Sequence, residues 1–210
     1  MFLASLWLTA CTGTTPTFDG TKMSDFFPQD GDRQAEYINE DSTNIAWKLV
    51  VEKIEPVEMI DEVEVVTWEW SRSDTGEVIG SVKWSSNSQD SIRIHGYEVT
   101  ATGESVMFTT PIAIAPDDDD MLSGESVTTT TDGWTVTSTL VGKEDCSVNW
   151  GMDWEDCVHI RLDDGDGDDL VGLPFAGDYH LVQRYGPAWM HLTGYAEKWN
   201  LADYDWSGAE

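Results

Sequence analysis

The chain has 210 residues, enough for one domain with a sizeable buried core. Hydrophobic residues make up 40% of it, which excludes a disordered chain despite a formal net charge of −29. Forty acidic residues against 11 basic ones create a field that repels nucleic acid and anionic lipid headgroups. Such a surface reads as highly soluble and suited to a salty or calcium-rich exterior, where self-repulsion is screened. A basic partner is the sharper alternative.

Met1 to Ala10 is almost wholly apolar and closes with Leu8-Thr9-Ala10-Cys11. A bilayer crossing needs about twenty apolar residues, so this run is too short to span. A short apolar run closed by small residues reads as a secretory signal. No Lys or Arg precedes Lys22, so the basic start of a usual signal is missing. The alternative is a hydrophobic first strand that happens to end in a cysteine. The arrangement resembles the lipobox of bacterial lipoproteins, in which the cysteine is acylated and becomes the new N-terminus. That resemblance implies a signal segment over 1–10, a lipid on Cys11, a flexible tether over 11–25 and a membrane partner reached through the anchor. Thr12, rather than an aspartate, follows the cysteine and implies the outer membrane of the cell envelope.

From Phe26-Phe27-Pro28 onward the dominant period is two, the mark of half-buried antiparallel strands. Val78, Gly80, Val82 and Trp84 share one face. Trp134, Val136, Ser138 and Leu140 alternate with threonines, and Tyr179, Leu181 and Gln183 alternate with His180, Val182 and Arg184. In Val63 to Trp70 the apolar parity switches between Val65 and Val66, which a β-bulge would explain. Turn signals separate the runs at Ser73-Asp74-Thr75-Gly76, Ala101-Thr102-Gly103, Asp132-Gly133 and Asp163 to Asp169. The spacing predicts about ten strands and an all-β fold. They fall near 34–40, 44–55, 62–71, 77–85, 90–99, 104–114, 125–131, 133–142, 156–163 and 170–194, the last as a pair. A short helical turn is predicted near Ala196 to Ala202. The β domain is thus expected over 26–195 and an acidic C-terminal tail over 196–210, of which Asp203 to Glu210 is expected to fray.

Three cysteines are present. With Cys11 acylated, Cys146 and Cys157 remain, and an even remainder in an exported chain suggests a disulfide. Their spacing places them on neighbouring strands or at the base of the loop from Ser147 to Asp156. A zinc site joining them to His159 is the competing idea, with three ligands and no C-x-x-C pair. His95, His159, His180 and His191 show no metal spacing such as H-x-x-x-H, and His95 and His159 read as ordinary sheet residues.

Asp163-Asp164-Gly165-Asp166-Gly167-Asp168-Asp169 is the sharpest acidic motif. Asp164, Asp166 and Asp168 match the first three ligand positions of a calcium loop. Asp169 then stands where glycine is needed and Phe175 where a bidentate glutamate is needed, so a solvated hairpin turn is the default and a weak calcium site the alternative. Asp117 to Asp120 reads as a charged loop, with cation binding as the alternative. Eleven tryptophans are many for this length. Trp68 and Trp70 fall on one face of their strand as core or cavity wall, and Trp150 and Trp154 fall inside the presumed disulfide loop. No nucleophile elbow, P-loop or dinucleotide glycine pattern appears.

Several segments together resemble a group of bacterial lipoproteins. Phe26-Phe27-Pro28 with Gly31 and Glu36-Tyr37 is similar to their first strand. Leu173-Pro174-Phe175-Ala176-Gly177-Asp178-Tyr179-His180-Leu181-Val182 looks like their closing hairpin, and Trp189 to Tyr195 looks like their final strand. Gln29 and Asp178 depart from the pattern. The resemblance implies a curved antiparallel sheet, a half-barrel or barrel, and supplies no chemistry. The expected role is therefore non-catalytic binding or structure at the envelope, with an envelope protein as a possible partner. One alternative is a carrier holding an apolar ligand or acyl chain against Trp68, Trp70, Trp84 and Trp134. The other is a hydrolase using paired carboxylates.

Overall fold

The structure, a computed structural model, describes residues 26–27, 32–40, 47–86, 92–114, 125–148, 152–165, 173–183, 185–193 and 197–207. Alternating apolar and polar residues make strands almost throughout. They are β1 (Asp32–Asn39), β2 (Leu49–Ile60), β3 (Val63–Arg72), β4 (Val78–Ser85), β5 (Arg93–Val99) and β6 (Glu104–Ala113), then β7 (Glu125–Thr131), β8 (Trp134–Val148), β9 (Met152–Asp163), β10 (Gly177–Val182), β11 (Gly186–Leu192) and β12 (Lys198–Ser207). All twelve belong to one antiparallel sheet, in the order β6-β5-β4-β3-β2-β1-β12-β11-β10-β9-β8-β7. The chain is thus two meanders of sequential hairpins, stitched together where β1 pairs with β12.

The sheet curls until its two outer strands meet, nearly closing a barrel. β6 and β7 are joined there by side chains as well as by proximity. The Asp132 carboxylate accepts from the Thr109 amide and hydroxyl, both at 2.7 Å. Thr131 Oγ1 accepts from the Thr110 amide at 3.0 Å, and Thr129 Oγ1 from the Ala113 amide at 3.2 Å. Behind them the buried Ser138 hydroxyl donates to the Ile114 carbonyl. Closure in this manner covers edges that would otherwise offer unpaired backbone groups.

Inside, one side-chain cluster fills most of the barrel, with Phe26, Tyr37, Val66, Ile112, Val136 and Leu181 among its fully buried members. Outward positions carry Glu52, Glu64, Glu98, Thr128, Thr130 and Arg161. A membrane-spanning barrel presents an apolar band there, and these residues do not. At β10 the backbone of Gly177 has φ +145°, and a Cβ would fall 2.2 Å from the His191 carbonyl. Only glycine lets β10 begin this close to β11.

Four expectations need correction. The helical turn expected near 196–202 and the acidic tail expected over 196–210 give way, across Lys198–Ser207, to β12, which pairs with both β1 and β11. Trp189 to Tyr195 is consequently not the final strand. The charges of Asp203 and Asp205 mask the period: they lie exposed, while Leu201 and Trp199 are buried. The bulge inferred from Val65 and Val66 lies in the partner strand. β3 runs in regular register against β4 from Val66 to Trp70, whereas in β2 the stretch between Ile54 and Glu58 loops out opposite Val66. Both valines are fully buried.

Cys146 and Cys157 form a disulfide between β8 and β9, with Cα atoms 5.9 Å apart. The expected pairing on neighbouring strands is what the sheet provides. The bond also takes both thiolates out of any zinc site with His159.

Candidate binding site in the barrel

Period-two alternation on adjacent strands assembles the site. β3 turns Val66, Trp68 and Trp70 inward and β4 turns Gly80, Val82 and Trp84 inward. The register sets Trp68 against Val82 and Trp70 against Gly80. The Trp68 and Trp84 rings meet edge to face with centroids 4.9 Å apart, and Phe27 meets Trp84 at 5.5 Å. These rings wall an inner cavity of about 50 Å³, closed on the far side by Ile160, Tyr179 and Met190. Among the described residues the interior is therefore largely filled, with little free space at its centre.

Trp70 and Val82 also line a second, larger chamber of about 380 Å³ at one end of the barrel. Trp47, Leu49, Val99 and Trp199 complete its apolar wall, and Glu98 and Glu197 add charge. Trp47 lies against Trp199 at 5.1 Å, and the Arg72 guanidinium sits 4.8 Å over the Trp47 ring. A volume of this size falls within the range of small-molecule pockets, roughly 300–1,000 Å³.

The indole N–H groups of Trp68, Trp70 and Trp84 are buried and have no acceptor among the described residues. A buried indole N–H usually finds a partner, and leaving a donor unpaired costs about 1–3 kcal/mol. Three such donors around two cavities that share Trp70 and Val82 are the site's most unusual feature. Among the described residues the only titratable side chains lining the inner cavity are Tyr37 and Tyr179. Burial drives both phenols well above their ordinary value. Each stays a neutral donor: Tyr37 to the Pro187 carbonyl at 2.8 Å, and Tyr179 to the Phe175 carbonyl. The inner cavity's lining is thus apolar and uncharged, whereas the end chamber adds the carboxylates of Glu98 and Glu197.

Of the four tryptophans singled out from the sequence, Trp68, Trp70 and Trp84 are brought together. Trp134 is not: it starts β8, packs partly buried on the core and does not line the cavity. Trp47 and Trp199 were not singled out, because long-range packing rather than a shared strand unites them. Asp164 is buried, and its Oδ2 accepts from the Leu173 amide at 2.7 Å, closing the loop before β10. Asp166 and Asp168 lie outside the described residues, as do Asp117 to Asp120, Trp150 and Cys11; Trp154 lies on β9. Among the described residues Asp164 is the one buried carboxylate, so no pair of buried acids converges there. His95 is buried on β5, whereas His159 and His180 lie side by side on the outer wall. No family model, curated protein or solved structure matches the chain.

Proposed function

We propose that this chain is a ligand-binding β-barrel of the bacterial envelope, exported and held to the outer membrane through a lipid on Cys11. Its ligand is compact and apolar and carries hydrogen-bond acceptors. The body of the ligand occupies the end chamber, and an acceptor on it meets the indole N–H of Trp70 in the shared wall. The observation that carries this reading is the aromatic-walled chamber of about 380 Å³, to which Trp70 brings one of three buried, unpartnered indole donors, Trp68 and Trp84 lining the inner cavity next to it. Their desolvation is offset only when an acceptor arrives. The role in this reading is non-catalytic binding.

The probe N-phenyl-1-naphthylamine tests the chamber. It is expected to bind at one site, gain fluorescence and accept energy from tryptophan. Trp70→Ala, at the junction of the two cavities, is expected to abolish that signal, and Trp134→Ala to leave it unchanged. Absence of saturable binding, or equal binding by Trp70→Ala, would overturn the assignment. Intact-mass analysis of the protein extracted from its membrane tests the anchor: an acylated Cys11 at the N-terminus is expected, and a free thiol there refutes it.

A further inference from the structure

On the outer wall the sheet assembles a second site that no local sequence spacing announces. Alternation along β9 turns Val158, Ile160 and Leu162 into the core and His159 and Arg161 outward. On β10 it turns Tyr179 and Leu181 inward and Asp178 and His180 outward. The register places His159 directly opposite His180, with ring centroids 4.7 Å apart. On β8, register shifts at Leu140/Gly142 and Glu144/Cys146 bring Glu144 opposite Cys157, on the outward face beside His159.

One carboxylate oxygen meets both rings there. Glu144 Oε1 lies 2.9 Å from His159 Nδ1 and 3.2 Å from His180 Nε2. The three donor atoms all fall within 4.8 Å of one another. The opposite nitrogen of His159, Nε2, is 2.7 Å from Asp178 Oδ1, which also accepts from Arg161 Nε at 2.9 Å. His180 is backed by the Trp189 ring at 4.7 Å, and the Trp189 indole donates to Glu40 at 3.0 Å.

An exposed ion pair between a histidine and a carboxylate stabilises little, so charge pairing alone does not account for four groups converging from three strands. A metal ion accounts for each part. Ligating histidines characteristically give their second nitrogen to a carboxylate, which orients the ring and raises its basicity. Asp178 stands in that place behind His159, with Arg161 fixing it in turn. Tetrahedral zinc with bonds of about 2.0–2.2 Å sets its ligand atoms roughly 3.3 Å apart. The two separations from Glu144 already approach that value, and Glu144 is 46% exposed and free to adjust. Side chains on a rigid sheet hold such geometry better than side chains on loops. The net charge of −29 also concentrates cations around the molecule.

We infer that Glu144, His159 and His180 form a zinc site on the outer wall of the barrel, with Asp178 as the carboxylate that orients His159. Two imidazoles and one carboxylate suit zinc as a borderline ion and leave its fourth position to water or an incoming donor. This site shares no residue with the end chamber, so its failure leaves the interior reading intact.

The test uses tag-free protein freed of metal with a chelator. Titration with Zn²⁺ is expected to show one site by calorimetry, and Co²⁺ is expected to give a visible absorption band that Zn²⁺ displaces. His180→Ala and His159→Ala should abolish both signals, His191→Ala should retain them, and Asp178→Asn should weaken Zn²⁺ about 10- to 100-fold. Tryptophan near-ultraviolet dichroism checks that each variant is folded. Glu144→Gln, on an exposed side chain, carries the test if a histidine variant is not. No one-to-one Zn²⁺ binding, or binding that survives in folded Glu144→Gln and His180→Ala alike, would overturn the site.

Discussion

His95 shows how one buried imidazole couples this barrel to pH. It is 6% exposed, and its Nε2 is 2.8 Å from Ser85 Oγ. Burial first, and then the charge of Arg93, lower its pKa from the ordinary 6.5, while Asp61 acts weakly the other way. In the folded state the neutral ring is therefore favoured more than in the unfolded chain. Above about pH 6.5 both states are neutral and the fold keeps its full stability. As pH falls below that value the unfolded chain takes up the proton first, so stability drops until the folded value is passed. Urea midpoints measured between pH 7.5 and pH 5 should fall more steeply for the native chain than for His95→Gln, whose amide can still meet Ser85. Parallel curves would remove His95 as a contributor. The sequence reading of His95 as a sheet residue holds, but its titration depends on burial that no single strand reveals.

At the scale of elements the joint between β6 and β7 differs from every other. Eleven strand pairs are tied by backbone ladders. This one relies on Thr129, Thr131 and Asp132 reaching across to backbone amides. Asp132 also occupies the β7–β8 turn with φ 48°, followed by Gly133 at φ 91°, the pair of left-handed residues that a tight hairpin uses. Its carboxyl is held below the usual range, chiefly by the Thr109 amide and hydroxyl. Asp132→Asn keeps a turn-forming side chain but loses the charge and one acceptor oxygen. It should speed amide hydrogen exchange at Thr109, Thr110 and Ala113 several-fold while leaving β10 and β11 protected. Unchanged exchange at Thr109 would show that the joint does not depend on this carboxylate. The Asp132-Gly133 turn was legible from its residues, because two left-handed positions favour that dipeptide. The joint was not, since it links strands that no short turn connects.

For the whole molecule the dominant long-range term is self-repulsion. Forty acidic residues stand against 11 basic ones, and among the described residues ion pairs such as Lys83 with Glu58 and Arg72 with Asp74 neutralise only a few. Raising sodium chloride to about 0.5 M shortens the screening length to roughly 4 Å. The melting temperature should rise with salt and level off as repulsion is screened. A flat or falling profile would mean that the charges are already compensated.

By itself the sequence determined the all-β class, most strand positions, the Cys146–Cys157 pairing and the inward set of Trp68, Trp70 and Trp84. These follow from a period of two, local turn chemistry and cysteine arithmetic, all of which act over a few residues. Only the tertiary structure decided that Lys198–Ser207 is a strand that closes the gap between β1 and β11. It alone set Trp47 beside Trp199, left Trp134 apart, and brought Glu144, His159 and His180 to one point. The reason is register: which residue faces which across a ladder depends on bulges and on the curl of the entire sheet, and these sum contributions from segments far apart along the chain.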